Sequence, residues 1–246
     1  MKYFGQSDVG IKRKNNEDNY SIIKNNDKDI LVIVCDGVGG GNAGEVASFE
    51  TVNYFTNEFK KTSNLDDSNK IIEYLTYHIN KINDIVFSLS TTTKEYSGMA
   101  TTLTGFVITK NNIIAFNVGD SRVLIQGSND KISVITKDHN YANELVRFNN
   151  VDEQEALKHE YANRITRAIG SVIPHTPEFY PIPKDIKNII ACTDGFYDFV
   201  SNSKIKKIIS EKNKPIISKV NDLINLSINN NSNDNITLVL VEMENN

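Results

Sequence analysis

The sequence predicts an α+β fold with segregated layers, and three observations carry that prediction. Strand-like segments gather near the start, two long helical patterns follow, and a second block of strands then returns before further helices. That order places sheets and helices in separate layers rather than in the strand–helix alternation of a parallel sheet. No linker, repeat or shift of composition divides the 246 residues, so they read as one domain, 1–246.

The elements follow in order. Strands are predicted over 3–9, 19–23 and 30–35, with Asn25, Asn26 and Asp27 as the turn before the third. A glycine-rich loop runs over 37–44. Helices are predicted over 43–59, with Val52, Phe55 and Phe59 on one face, and over 70–89. In the second, Ile71, Leu75, Ile79, Ile82, Val86 and Leu89 recur at helical spacing, which marks a buried stripe. Strands over 103–109, 113–118, 122–126 and 132–136 are separated by turn-like residues and are expected to form a meander. Residues 138–170 are more polar and partly helical. A strand over 189–193, short helices, a longer helix over 215–228 and a last strand over 236–241 complete the chain.

Composition excludes several classes. A formal net charge of -4 offers no basic footprint, so nucleic acid is not an expected partner. The two cysteines, Cys35 and Cys192, form no C-x-x-C pair, which argues against a thiolate zinc site. The first residues carry no apolar run after Lys2, and no stretch reaches the length of a membrane span. A cytoplasmic monomer that does not engage membranes is the expectation.

The informative pattern is the placing of aspartates. Asp36 ends an apolar strand and enters Gly37-Val38-Gly39-Gly40, and Asp194 follows Ala191-Cys192-Thr193 and precedes Gly195. Asp120 follows the strand ending at Val118, Asp234 precedes the last strand, and Glu17-Asp18 lies close after Arg13. A carboxylate at a strand end is held by the sheet yet reaches into a loop cavity. Several such groups facing one another repel when ionised. A hard divalent cation with oxygen ligands, Mg²⁺ or Mn²⁺, relieves that repulsion. Each Asp-Gly or Asn-Asp pair alone reads as a turn; the set read together does not.

These motifs resemble the metal-dependent protein phosphatases, the type 2C serine/threonine phosphatases, and most of all their small bacterial members that oppose a serine/threonine kinase. The resemblance runs from Ser7 to Val241. It rests on Ser7-Asp8-Val9-Gly10, Arg13, Asn16-Glu17-Asp18, Asp36-Gly37-Val38-Gly39-Gly40, Thr101-Thr102-Leu103 and Gly119-Asp120-Ser121-Arg122. It continues through Asp138-His139, Thr166-Arg167-Ala168-Ile169-Gly170, Thr193-Asp194-Gly195-Phe196-Tyr197-Asp198 and Asp234-Asn235-Ile236-Thr237. The family fold it implies is a β-sandwich of two antiparallel sheets flanked by helices on both outer faces.

The resemblance also implies roles. Asp36 would bridge two metal ions, Mn²⁺ or Mg²⁺. Gly37 would offer its carbonyl to the second ion, and Asp194 and Asp234 would complete the first. Glu17 and Asp18 would hold metal-bound waters, and Arg13 the substrate phosphate. Asp120, Asp194 and Asp198 match the ligands of a third, weaker ion. A hydroxide shared by two cations would attack phosphorus in line, on phosphoserine or phosphothreonine of partner proteins that include a kinase and its substrates. The segment over 139–163 matches a flap beside the site, expected to be mobile and to govern the choice of protein substrate.

Departures and rivals are few. Val38 stands where eukaryotic relatives carry a histidine proposed as general acid, Ala100 where a glycine is usual, and Asn149-Asn150 replaces a glycine-containing turn. Residues 39–44 also satisfy G-x-G-x-x-G between a strand and a helix, with Glu58 downstream, the dinucleotide-binding pattern. That rival accounts for none of the other aspartates. A non-catalytic module on the same fold is the second rival, and loss of ligand carboxylates would mark it. His78 and His139 are expected to be structural, His159 and His175 have no assigned role, and both cysteines read as buried small hydrophobes.

Overall fold

A computed structural model of the chain describes residues 1–38, 43–172 and 176–243. The strands are β1 (Lys2–Asp8), β2 (Asp18–Lys24), β3 (Ile30–Val38), β4 (Ala100–Thr101), β5 (Leu103–Ile108), β6 (Ile113–Val118), β7 (Arg122–Gly127), β8 (Ile132–Val134), β9 (Glu178–Pro181), β10 (Ile186–Cys192) and β11 (Ile236–Glu242). The helices are α1 (Gly44–Lys61), α2 (Ser68–Thr92), α3 (Tyr141–Asn149), α4 (Glu153–Ala156), α5 (Asp194–Tyr197), α6 (Asn202–Ile209) and α7 (Ile216–Asn229). Two antiparallel sheets face each other. One has the order β1-β11-β10-β7-β8 and the other β2-β3-β5-β6-β9, with β4 paired to β3.

The period of two along each strand builds the layers. On β3, Ile30, Val32 and Val34 point into the core between the sheets, against Ile189, Ala191, Val239 and Val241. Leu31, Ile33 and Cys35 point the other way, against Phe55 of α1 and Ile71, Leu75 and Ile79 of α2. Cys192, Leu238 and Leu240 face Phe196 of α5, Ile205 of α6 and Leu223 of α7 on the opposite outside. The result is helices, sheet, sheet, helices, as the resemblance implies. On α2, Ile71, Leu75, Ile79, Ile82 and Val86 are buried as the spacing predicts, Leu89 is partly buried, and Asp67 caps that helix by accepting from the Asn69 and Lys70 amides.

Two expectations are corrected. The strands from 103 to 136 are not one meander: β5 pairs with β6 and β7 with β8, but β6 and β7 belong to different sheets. The chain crosses between them through Gly119, whose φ of 113° excludes an ordinary side chain. Short strands β4 and β9 had no sequence expectation, because two and four residues are too few to show a period. The β3–α1 connection is also no dinucleotide-binding crossover, since β3 is antiparallel to both its main neighbours, β2 and β5. Residues 39–42 of that motif lie outside the described residues.

Candidate active site

The same alternation that fills the inter-sheet core places acidic residues at its end. Asp36 follows Val32 and Val34 on the inward face of β3, and Asp18, its direct partner across the β2–β3 ladder, precedes Tyr20 and Ile22 on that face. Thr193, two residues after Ala191 of β10, donates its hydroxyl to Asp18 Oδ2 at 2.9 Å. Backbone bonds hold Asp36 in place. Its amide donates to Thr102 Oγ1 at 2.9 Å, and its carbonyl accepts from the Thr102 amide at 2.8 Å and the Thr101 hydroxyl at 2.9 Å.

The other predicted residues enter from neighbouring strand ends. Asp194 opens α5 directly after β10, and Asp198 closes it. Asp120 lies in the β6–β7 crossing, where its carbonyl accepts from Tyr197 Oη at 3.1 Å. Asp234 precedes β11; its Oδ1 accepts from the Asn235 amide at 2.8 Å and its Oδ2 from Arg13 Nη2 at 2.7 Å. Arg13 therefore stands at the mouth, half exposed, paired to an aspartate. The Glu17 carbonyl accepts from the Gly37 amide, and the Glu17 carboxyl approaches Gly44. A side chain at Gly37 would lie 2.3 Å from the Gly44 carbonyl and 2.7 Å from the Glu17 carbonyl, so glycine is required at that contact.

The electrostatics are those of negative charge confined in a low-dielectric end of the core. Burial pushes the Asp18 carboxyl up to about 7, with Asp194 and Asp234 adding repulsion against the hydrogen bonds from Thr237 and Thr193. Burial raises Asp120 to about 7, reinforced by Asp194 and Asp138. Burial raises Asp194 to about 6, reinforced by Asp234 and Asp198. Asp36 is driven well above the usual carboxylate range by burial and by Asp18, Asp194, Asp120 and Asp234 together. Glu17 and Asp198 are raised as well, burial again being the largest cause.

This donor set suits a hard divalent cation. Every predicted donor is oxygen, the carboxyls repel one another, and Asp194 Oδ1 is buried with no hydrogen-bond partner. Among the described residues no three His, Cys, Asp or Glu side chains already stand at metal-ligating spacing. Asp234 is paired with Arg13 instead.

Sequence reasoning passed over several supports. Asn235 accepts the Glu17 amide at 2.8 Å and donates to the Val9 and Asn15 carbonyls, so it ties the Arg13 loop to β11. Arg122 makes two hydrogen bonds to Asp138, at 2.8 and 2.5 Å, and stacks 3.7 Å over the Tyr197 ring. Glu178 accepts from Arg147, from Arg167 at 3.2 Å and from Tyr180 at 2.7 Å. The first two supports lie inside quoted motifs, beside aspartates that drew the attention; Glu178 lies on the short strand that no pattern marked.

The described histidines and both cysteines have the contacts of packed or hydrogen-bonded groups. His139 is buried and its Nδ1 accepts the Gly119 amide at 3.1 Å, which leaves the proton on Nε2, facing Glu178. Burial lowers this imidazole to about 4. His78 Nδ1 lies 2.8 Å from Tyr54 Oη on the α1–α2 surface. His159 packs against Tyr141 and Tyr161, and His175 is outside the described residues. Cys35 and Cys192 are buried free thiols whose pKa burial raises, so neither is a nucleophile.

Comparison with known proteins agrees with this architecture. The family model for protein phosphatase 2C matches residues 11–221. A curated relative, the serine/threonine phosphatase stp of Listeria innocua, is 30% identical over 239 residues, 96% of this chain and 94% of its own length. The solved structure of the Streptococcus agalactiae serine/threonine phosphatase is 31% identical, covers 99% of both chains and superposes with a TM-score of 0.91. A structure of the catalytic domain of serine threonine protein phosphatase PstP in complex with two manganese ions is 26% identical, covers 98% of this chain and 97% of that one, and has a TM-score of 0.77. The chain belongs to the protein phosphatase 2C family of phosphoprotein phosphatases.

Proposed function

We propose that this chain is a metal-dependent serine/threonine phosphatase that hydrolyses phosphoserine and phosphothreonine on proteins phosphorylated by a bacterial serine/threonine kinase. The observation that carries the metal-dependent part is the Asp36 cluster: carboxyls raised by burial and by one another's charge, with Asp194 Oδ1 left without a partner. In this reading Asp36, Asp194, Asp234 and the Gly37 carbonyl would hold Mn²⁺ or Mg²⁺ ions, with Asp120 and Asp198 joining Asp194 for a further, weaker one. Glu17 and Asp18 would hold water at that site. Such cations, when bound, lower the pKa of coordinated water and offset charge on the phosphoryl oxygens.

The protein groups do the rest. Thr193 and Thr102 fix the orientations of Asp18 and Asp36. Arg13 presents its planar fork at the mouth, where it exchanges Asp234 for two phosphate oxygens of the substrate. Glu178 holds the His139 ring in position, and His139 in turn holds the Gly119 amide beside Asp120. The 139–163 segment, with α3 and α4, selects among protein substrates.

The test is hydrolysis of a phosphothreonine peptide by the purified chain with Mn²⁺ and after chelation. Release of phosphate only with the metal is expected. Full activity of exhaustively chelated protein would remove the metal assignment. An inactive protein across Mn²⁺ and Mg²⁺ would remove the enzymatic reading.

A further inference from the structure

A cavity of about 830 Å³ opens beside the carboxylates, lined in part by Asp120, Asp194 and Asp198. That volume falls in the range of about 300–1,000 Å³ typical of ligand pockets. A phosphorylated side chain needs only those carboxylates, and other lining residues have a different chemistry. Val134 of β8, Phe148 of α3 and Leu157 at the end of α4 all line the cavity. They are 43%, 63% and 60% exposed, three large apolar residues open to water on separate elements around one space. Scattered exposed hydrophobics need no explanation, but a convergent apolar wall next to a reaction centre does.

We propose that the part of the cavity lined by Val134, Phe148 and Leu157 is a subsite for a bulky apolar side chain of the phosphoprotein substrate, close in sequence to the phosphorylated residue. The inference rests on the reading of the carboxylates as the reaction centre, and it names the substrate class that centre receives. Continuity commits the occupant: a polypeptide whose phosphate reaches Asp194 passes its neighbouring residues through the cavity that Asp194 lines.

Charge decides against an acidic flank. The cavity carries six carboxylates against four cations. Arg122 is taken by Asp138, and both Arg147 and Arg167 by Glu178. The three guanidiniums are therefore already engaged by carboxylates and the lining is acidic on balance, whereas Val134, Phe148 and Leu157 stand open to water.

The experiment compares phosphothreonine peptides that differ only in a flanking position, carrying Leu, Phe, Ser or Glu, with the full chain and Mn²⁺. The expected kcat/KM is about tenfold or more higher for Leu or Phe than for Ser, the scale of a hydrophobic side chain's selectivity. The double variant Phe148→Ser, Leu157→Ser should bring that ratio to within about twofold of unity. Both residues are exposed, and an unchanged melting temperature checks that the fold is kept. Val134→Thr, alone, should lower the same ratio without emptying the wall. A wild-type enzyme indifferent to the flank, one preferring Glu, or a double variant with the preference intact would overturn the subsite. Failure to hydrolyse any of the peptides would instead overturn the reading of the reaction centre on which it rests.

Discussion

The carboxylate floor around Asp36 and the 139–163 segment, which lines the cavity beside it together with Asp120, Asp194 and Asp198, are built in opposite ways. The floor is made of strand ends. Asp36 and Asp18 are paired across a β-ladder, held by Thr102 and Thr193, and backed by the inter-sheet core. The segment above has a core of its own containing only Ala142, Ala156 and Ala162, with Leu145, Val146 and Val151 against it. It is joined to the body by main-chain bonds at its start, from the His139 amide to the Gly119 carbonyl and from the Thr166 amide to the His139 carbonyl, and by the Arg147–Glu178 ion pair. On the proposed function, the groups that must keep their positions through each turnover would sit on the rigid part, and those that meet varied partners where little apolar burial has to be broken to move them.

The largest expected effect strikes the floor alone. Asp36→Asn should lower kcat on every substrate by about 10²-fold or more, because it removes charge at the centre of the cluster. Steady-state kinetics on a small aryl phosphate and on a phosphoprotein should fall together. A variant with near-normal turnover would end the floor's claim to the chemistry.

The second expectation concerns the floor without metal. Asp18 and Asp120 hold their protons up to about 7 and Asp194 up to about 6 in the folded chain, above the ordinary carboxylate value. The folded state therefore binds more protons than the unfolded one across that window. The stability these groups contribute is full below their unfolded pKa and is lost as pH rises from about 4 through about 7. Chelated protein should melt at a lower temperature at pH 7.5 than at pH 5, and Mn²⁺ should reverse the loss at the higher pH. A chelated protein whose melting temperature rises over that range would contradict the assignment.

A third expectation separates binding from chemistry. Arg13→Ala should raise KM by about tenfold, on the scale of one charge-assisted hydrogen bond, with kcat changing less. A fall confined to kcat would place Arg13 in the chemical step instead.

The fourth and smallest effects belong to the upper part. Shortening 139–163 should lower rates on phosphoproteins far more than on a small aryl phosphate, and an equal fall on both would make the segment a general support. Glu178→Gln keeps the shape but weakens the ties to Arg147 and Arg167. Faster hydrogen exchange across Tyr141–Asn149 is expected, with a smaller change in melting temperature than a core substitution gives. Unchanged exchange would show that the main-chain bonds alone hold α3.

The sequence alone determined the layers and the sites where acid meets strand. Long elements such as α2 and β3 repeat their apolar positions often enough for the period to be read, and a strand that ends in Asp-Gly declares where its carboxylate emerges. The order of such short motifs along the chain carried the family. Tertiary structure alone decided what lies far apart in the chain but close in space. It sent β7 to the other sheet from β6, set Thr193 on Asp18 and Arg13 on Asp234, and gathered Arg147, Arg167 and Tyr180 on Glu178. Local periodicity records only which face of an element is apolar. Which carboxylate meets which donor depends on sheet register and on where the chain crosses, and these are settled by the packing of the whole sandwich.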